Sequence, residues 1–105
     1  MLHDTVRVTV AHVADAVVVT VEGEVDMASI PALRVALDDV ESDHELILDC
    51  SGVTFMDSSG LSVLVTLWSR LQERGGSLHV RNPSPAVRRV MELTGLDDLI
   101  KPLRA

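Results

Sequence analysis

Apolar and polar residues alternate near the start of the chain. Residues 5–12 place a valine at every second position, which is typical of a half-buried β-strand. Residues 16–21 are rich in valine and predict a second strand, and Ala14 and Asp15 between the two suit a hairpin turn. Residues 23–26, Gly-Glu-Val-Asp, are expected to break the second strand. One face of that strand is expected to carry Val17, Val19 and Val21.

A helix and a buried strand are predicted next. Apolar residues at spacings of three and four indicate one stripe of a helix, with Asp26 or Ser29 as its cap and Pro31 in its first turn. Residues 45–50 form a short apolar run, typical of a strand covered on both faces. Residues 51–55 are interpreted as a connecting stretch. The helical stripe consists of Ile30, Leu33, Leu37 and Val40.

The last third of the chain repeats the alternation of helix and strand. A helix is predicted to open at residues 57–60 and to end at Gly75 and Gly76, because glycine readily adopts the left-handed conformation of a helix end. Residues 77–81 predict a strand, and Ser84 followed by Pro85 predicts another helix start. Residues 99–103 are expected to be a short tail packed on the surface. The second helix is marked by Leu61, Leu64, Val65, Trp68 and Leu71.

The predicted order of elements is β-β-α-β-α-β-α. Strands that alternate with helices imply right-handed crossovers and parallel pairing, whereas the opening hairpin is antiparallel. The predicted fold class is therefore α/β, with a mixed, mostly parallel sheet flanked by helices. With 105 residues, the chain is expected to form a single domain over residues 1–105.

Composition narrows the classes of partner. The net charge of −7 opposes long-range attraction to nucleic acid or to an anionic membrane surface. The chain has only two aromatic residues, Phe55 and Trp68, which nearly excludes a platform on which nucleic-acid bases could stack. Residues 1–57 carry twelve acids and two bases, a sum of −10, whereas residues 58–105 carry four acids and seven bases, a sum of +3. A single cysteine, Cys50, suits a reducing compartment. We expect a cytoplasmic protein with neither nucleic-acid nor membrane partners.

The tetrapeptide Asp57-Ser58-Ser59-Gly60 carries the most chemical information. It follows a buried strand, at the edge where α/β sheets place their sites, and it opens a helix, whose free N–H groups favour negative charge. A hydroxyl held there can accept a phosphoryl group. The alternative is that Asp and Ser only cap the helix. Asp26 and Asp57 both follow strands, so they either face one another on this rim or each caps its own helix.

Patterns typical of other chemistry are absent from the sequence. Neither Ser58 nor Ser59 has a glycine both two residues before and two residues after it, as a hydrolase nucleophile elbow requires. The four histidines and Cys50 lack metal-ligand spacing, and the sequence holds no phosphate-binding P-loop motif. We therefore expect a protein that is not an enzyme and needs no metal or cofactor.

A second apolar face of the helix after the tetrapeptide has two interpretations. Val63 and Leu67 lie on it. They either form a partner-contact patch beside the serine or are buried against a neighbouring helix, which is the usual fate of an apolar helix face.

Four segments resemble those of STAS-domain anti-sigma factor antagonists. Residues 46–61 (LILDCSGVTFMDSSGL) resemble the family's characteristic stretch, and residues 21–26 (VEGEVD) resemble its Gly-Glu-hydrophobic-Asp turn. The glycine pair at 75–76 and residues 84–89 (SPAVRR) match later landmarks in the same order. The resemblance extends from about residue 5 to residue 100, nearly the whole chain.

The resemblance implies a partner-switching regulator. In that family an unphosphorylated antagonist binds an anti-sigma factor that is also a serine kinase, which frees a sigma factor. Phosphorylation of the first serine of the motif, Ser58 here, releases the antagonist, and a serine phosphatase resets it. Asp26, Asp57, Ser59 and Gly60 correspond to the loops around this serine and are the expected partner-binding residues. An alternative is a STAS module of another regulatory or transporter-associated complex that has no phosphorylation switch.

Overall fold

The sheet is assembled in the order in which its strands occur along the chain. The computed structural model describes residues 6–38, 45–100 and 102–103. The elements are β1 (Val6–Val13), β2 (Ala16–Val25), α1 (Ile30–Asp38), β3 (Glu45–Met56), α2 (Ser58–Glu73), β4 (Ser77–Arg81), α3 (Pro85–Thr94), a 3-10 turn (Leu96–Asp98) and β5 (Pro102–Leu103).

The topology confirms the predicted fold class. Strands β1 and β2 form an antiparallel hairpin, whereas β2, β3, β4 and β5 run parallel to one another. The strand order in the sheet is β1-β2-β3-β4-β5. Each helix connects one parallel strand to its immediate neighbour in the sheet, always on the side toward β5. Because such crossovers are right-handed, they place all three helices on one face of the sheet. The chain is thus a small α/β domain with a mixed, mostly parallel sheet.

The core lies between the helices and one face of the sheet. Val17, Val19 and Val21 are buried on that face, as their alternation predicts. Leu46 and Leu48 of β3 and the inner stripes of the helices pack against them. The remaining core side chains include Leu33, Leu37, Val63, Leu64, Leu71, Leu78, Val80, Val87 and Met91.

Strands β2 and β3 are longer than the sequence analysis predicts. The predicted break at residues 23–26 is wrong, since β2 runs on to Val25, and the predicted connection at 51–55 is wrong, since β3 runs on to Met56. The two extensions pair with each other from Glu22 opposite Gly52 onward; one register shift precedes this pair and another follows Gly23. A Cβ on Gly52 would lie 2.8 Å from Cγ of Glu22, so glycine is needed for this close approach.

The C-terminal part of the described chain is integrated into the fold. The prediction of a surface tail over residues 99–103 is wrong, because Ile100 is fully buried in the core and the backbone of β5 pairs with β4. The predicted caps of α3 are confirmed, with Ser84 accepting from the Val87 N–H at 3.3 Å and Pro85 at the first helical position. Val40, predicted for the first helical stripe, lies outside the described residues.

Candidate functional site

Asp57 joins the ends of two strands to the start of α2. The backbone N–H of Asp57 donates to the carbonyl of Val25 at 3.2 Å, and Val25 lies opposite Met56 in the sheet register. The segment that follows β2 and the segment that follows β3 therefore emerge side by side at the carboxyl edge of the parallel strands. This is the location predicted for the tetrapeptide.

The Asp57 carboxylate caps α2. Asp57 has extended backbone angles, and its Oδ1 accepts from the N–H of Ser59 at 2.9 Å and from that of Gly60 at 3.3 Å. The hydroxyl of Ser59 donates to the same oxygen. These hydrogen bonds favour the charged form of the carboxylate and lower the pKa of Asp57. The hydrogen bond from the Ser59 hydroxyl has the largest effect. The capping interpretation therefore describes the local role of Asp57.

Two adjacent serines have different environments. Ser58 is the first residue of α2 and is exposed, and its hydroxyl makes no hydrogen bond to any described residue. Its carbonyl accepts from the hydroxyl of Ser62 at 3.1 Å. Ser59 is half-buried, and its hydroxyl is held by Asp57. Of these two serines, Ser58 is therefore the one whose hydroxyl has no hydrogen-bond partner among the described residues.

Gly60 sets how closely α2 approaches the sheet. It is buried, and a Cβ at this position would lie 2.7 Å from Cγ1 of Val25 and 2.9 Å from Cγ of Met56. Both distances are shorter than real Cβ contacts. The absence of a side chain lets the first turn of α2 rest on the last residues of β2 and β3.

Asp26 is fixed in the neighbouring loop. Its N–H donates to Oγ of Ser29 at 3.0 Å, and its Oδ1 accepts from the Ser29 N–H at 3.0 Å. Ser29 is buried and also donates to the carbonyl of Glu24 at 2.8 Å. Because Val25 and Met56 are paired, Asp26 and Asp57 directly follow neighbouring positions of the sheet. The structure thus brings both carboxylates to one rim and gives each a capping bond.

Of the two interpretations of Val63 and Leu67, the structure supports burial and not a partner-contact patch. Val63 is buried in the core, and Leu67 packs against the core in the crevice between α1 and α2, as the burial interpretation holds. The exposed apolar residues near the serine are instead Met27, Phe55 and Val65, which are 78%, 48% and 40% exposed. We call these three residues the rim patch.

The rim patch residues lie just after β2, at the end of β3 and within α2. Met27 follows Asp26 directly, and Phe55 precedes Met56 at the end of β3. Val65 lies seven residues after Ser58, which places both on one side of α2. The sequence pattern does not mark these three as surface residues; a signal for Phe55 is its position two residues before the capping aspartate.

Other reactive groups lie away from the rim. Burial, aided by the charge of Asp49, raises the pKa of the Cys50 thiol to about 12. Burial alone would raise the pKa of Asp49, but hydrogen bonds from Ser51 and Arg81 and the Arg81 charge together lower it. Nowhere in the described part of the chain do three or more His, Cys, Asp or Glu side chains gather as a metal site requires.

A further structural finding concerns the helices alone. Among residues 6–38, 45–100 and 102–103, none of the helices combines the length and the apolar character needed to cross a membrane.

Comparison with known families identifies this architecture. The STAS domain family matches residues 7–105. The chain belongs to the STAS domain family. This confirms the resemblance described from the sequence, and it agrees with curated relatives named anti-sigma factor antagonists. One of them, the anti-sigma-B factor antagonist of Bacillus subtilis, is 37% identical over 83 residues, which cover 78% of this chain and 76% of the relative.

Solved structures of STAS proteins share the fold. An anti-sigma factor antagonist from Mycobacterium paratuberculosis superposes with a TM-score of 0.84 at 34% identity, covering 94% of this chain and 86% of that one. The anti-sigma factor antagonist SpoIIAA in its unphosphorylated form gives a TM-score of 0.77 at 25% identity, covering 94% of this chain and 88% of that one.

Proposed function

We propose that this STAS domain is an anti-sigma factor antagonist controlled by phosphorylation of Ser58. Unphosphorylated, it binds an anti-sigma factor that is also a serine kinase, and a sigma factor is thereby freed. Phosphorylation by that kinase releases the antagonist, and a serine phosphatase restores the binding form. The names of the curated relatives support the antagonist role, and a structure of SpoIIAA described as its unphosphorylated form supports a phosphorylation switch.

The observation that carries the proposal is the contrast between the two serine hydroxyls. Phosphoryl transfer needs a hydroxyl that an incoming kinase can reach and orient. The hydroxyl of Ser58 is exposed and has no partner among the described residues, whereas that of Ser59 is bound to Asp57. A kinase would therefore meet Ser58 first, and modifying Ser59 would break the hydroxyl bond that holds the capping carboxylate of Asp57.

The rim patch supplies a docking surface for the anti-sigma factor. Exposed apolar side chains are candidates for an interface core, and large ones such as Phe55 and Met27 are candidate anchors. Asp26 and Asp57 lie beside the patch, so we infer that the partner offers an apolar surface bordered by basic residues. Ser59 and Gly60 contribute by holding the first turn of α2 in place.

A phosphate on Ser58 would weaken binding of the anti-sigma factor to this surface. A phosphoserine carries about −1.5 to −2 charges, and at position 58 it would stand next to the Asp57 carboxylate. In an interface lined by Met27, Phe55 and Val65 the dianion would lose its water, and basic groups that already match Asp26 and Asp57 would not match the added charge. A coupling of about 1–3 kcal/mol between phosphate and partner weakens binding roughly 5- to 150-fold.

Calorimetric titration with the anti-sigma factor tests the antagonist role. Wild-type protein should bind, and Ser58→Glu should bind at least about fivefold more weakly because it places a charge within the contact. Ser69→Glu is the matched control, since Ser69 is an exposed serine on α2 about 16 Å further along the helix axis. Absence of binding by the wild type, or equal weakening by both variants, would contradict the proposal.

A further inference from the structure

The crevice between α1 and α2 has an apolar floor that belongs to the core. Its volume is about 310 Å³. The floor consists of Leu37, Val63 and Leu67, of which the first two are only 7% and 6% exposed. Clefts that bind small molecules measure about 300–1,000 Å³ and often lie between helices. The crevice therefore has the size and the apolar lining of a site for a small ligand.

Polar side chains from both helices line the mouth of this crevice. Arg34 and Asp38 lie one turn apart on α1, and Thr66 and Arg70 lie one turn apart on α2. Nη1 of Arg70 is 3.2 Å from Oδ1 of Asp38, so an ion pair joins the two helices across the mouth. Because α1 and α2 each connect parallel strands, they run in about the same direction. Arg34 and Thr66, each four residues before a member of the ion pair, therefore also lie opposite one another.

Arg34 gives the crevice one unmatched positive charge. The lining residues carry two guanidinium groups and one carboxylate, so their charges sum to +1. Arg70 is matched by Asp38, whereas Arg34 forms no ion pair with any side chain in the part of the chain that the structure describes. A guanidinium binds a carboxylate through two parallel hydrogen bonds, and the hydroxyl of Thr66 can donate a third. A phosphate group, with about −1.5 to −2 charges, would exceed the charge on offer.

We propose that this crevice binds a medium-chain fatty acid, with its carboxylate between Arg34 and Thr66 and its alkyl chain on the floor. Contact of the alkyl chain with the aliphatic floor removes apolar surface from water, whereas the carboxylate stays at the exposed mouth and keeps part of its hydration. The lining contains no aromatic side chain, which suits an alkyl chain rather than a stacked ring. The volume lies at the lower end of the usual range, which favours a medium chain over a long one.

Titration of the isotope-labelled full chain with decanoate, followed by the NMR shifts of its backbone amides, tests the site. The largest shifts should fall within residues 34–38 and 63–70, with a dissociation constant of about 1 mM or lower. Hexanoate, which is shorter by four CH₂ groups, should bind at least about tenfold more weakly. Decyltrimethylammonium should also bind at least about tenfold more weakly, although the net charge of −7 favours a cation elsewhere on the chain. Shifts confined to other residues, or equal binding of decanoate and either analogue, would overturn the proposal.

Matched arginine variants test the position of the carboxylate. Arg34→Gln should raise the dissociation constant of decanoate about tenfold, because it removes the guanidinium that receives the carboxylate. Arg89→Gln is the charge-matched control, since Arg89 is an exposed arginine on α3 and does not line the crevice. Both replaced side chains are exposed, so both variants should keep the fold. Equal dissociation constants for the two variants would overturn the assigned position, and neither outcome depends on phosphorylation of Ser58.

Discussion

Replacing Gly60 with alanine should destabilise the fold even though alanine favours helices. Helix propensity alone predicts a gain of up to about 1 kcal/mol for Gly→Ala inside a helix. The structure opposes this gain, because the new Cβ would lie 2.7 Å from Cγ1 of Val25 and 2.9 Å from Cγ of Met56. Carbon atoms in favourable contact are about 3.5–4.0 Å apart, so the neighbours or α2 must move by nearly 1 Å.

The environment decides how much of that movement is possible. The Met56 side chain is flexible, but Val25 is only 1% exposed and valine has few accessible rotamers. We therefore expect an overpacking cost near the upper end of the usual range, about 3 kcal/mol. After the propensity gain is subtracted, the net loss is about 2 kcal/mol, a fall in Tm of roughly 10 °C for a domain of this size.

Urea unfolding followed by circular dichroism measures this free energy. Val25→Ala removes the nearer of the two clashing atoms and leaves only the one on the flexible Met56, so Gly60→Ala should be at least about 1 kcal/mol less harmful in that background. Gly75→Ala is a control that should lose stability for a different reason. No atom lies within 4 Å of the Cβ that alanine would add there, but the φ of +77° is strained for alanine. Its cost should be independent of Val25. A Gly60→Ala variant as stable as the wild type, or additive with Val25→Ala, would refute the reasoning.

Three further predictions concern the charged pair, the thiol and the rim patch. Because the pKa of Asp49 is lowered in the folded state, the ionised carboxylate stabilises the fold at pH values above its ordinary pKa of 3.8, and this stabilisation is lost as the pH falls through the folded-state pKa. The difference in free energy of unfolding between wild type and Asp49→Asn, measured in urea, should therefore become smaller at lower pH. With a pKa of about 12, Cys50 should react with a thiol reagent only as fast as the protein opens, and full reaction within seconds under native conditions would contradict its burial. Phe55→Ala should weaken anti-sigma factor binding roughly tenfold in calorimetry, whereas exposed Leu93→Ala should leave it unchanged.

Local patterns were sufficient for the starts of most helices and strands, but not for β5 or for the ends of the central strands. The valine alternation of β1 and β2 and the Ser84-Pro85 helix start are determined by neighbours in sequence, and the structure confirms them. The second halves of β2 and β3 contain glycine and polar residues that locally resemble a turn. They are strands because Glu22 pairs with Gly52, thirty residues away, a contact that no local pattern reveals.

The position of the candidate site was predictable, whereas its surface was not. A capping aspartate after a buried strand is a local signal, and the structure places Asp57 accordingly. The difference between Ser58 and Ser59 depends on which hydroxyl turns toward Asp57, and this follows from the geometry of the first helical turn. Likewise, Val63 and Val65 are equally apolar in sequence, and only the packing of α2 in the fold shows that the first is buried in the core and the second is exposed.

Mapping phosphate on the protein isolated from its host cells tests the switch at Ser58 most directly. Mass spectrometry should find a single phosphate on the peptide that contains the tetrapeptide, with fragment ions assigning it to Ser58. Ser58→Ala should abolish this phosphate. Ser59→Ala should retain it, because Ser59 serves the cap of α2 through its bond to Asp57. Phosphate on Ser59, or unchanged incorporation in Ser58→Ala, would contradict the account.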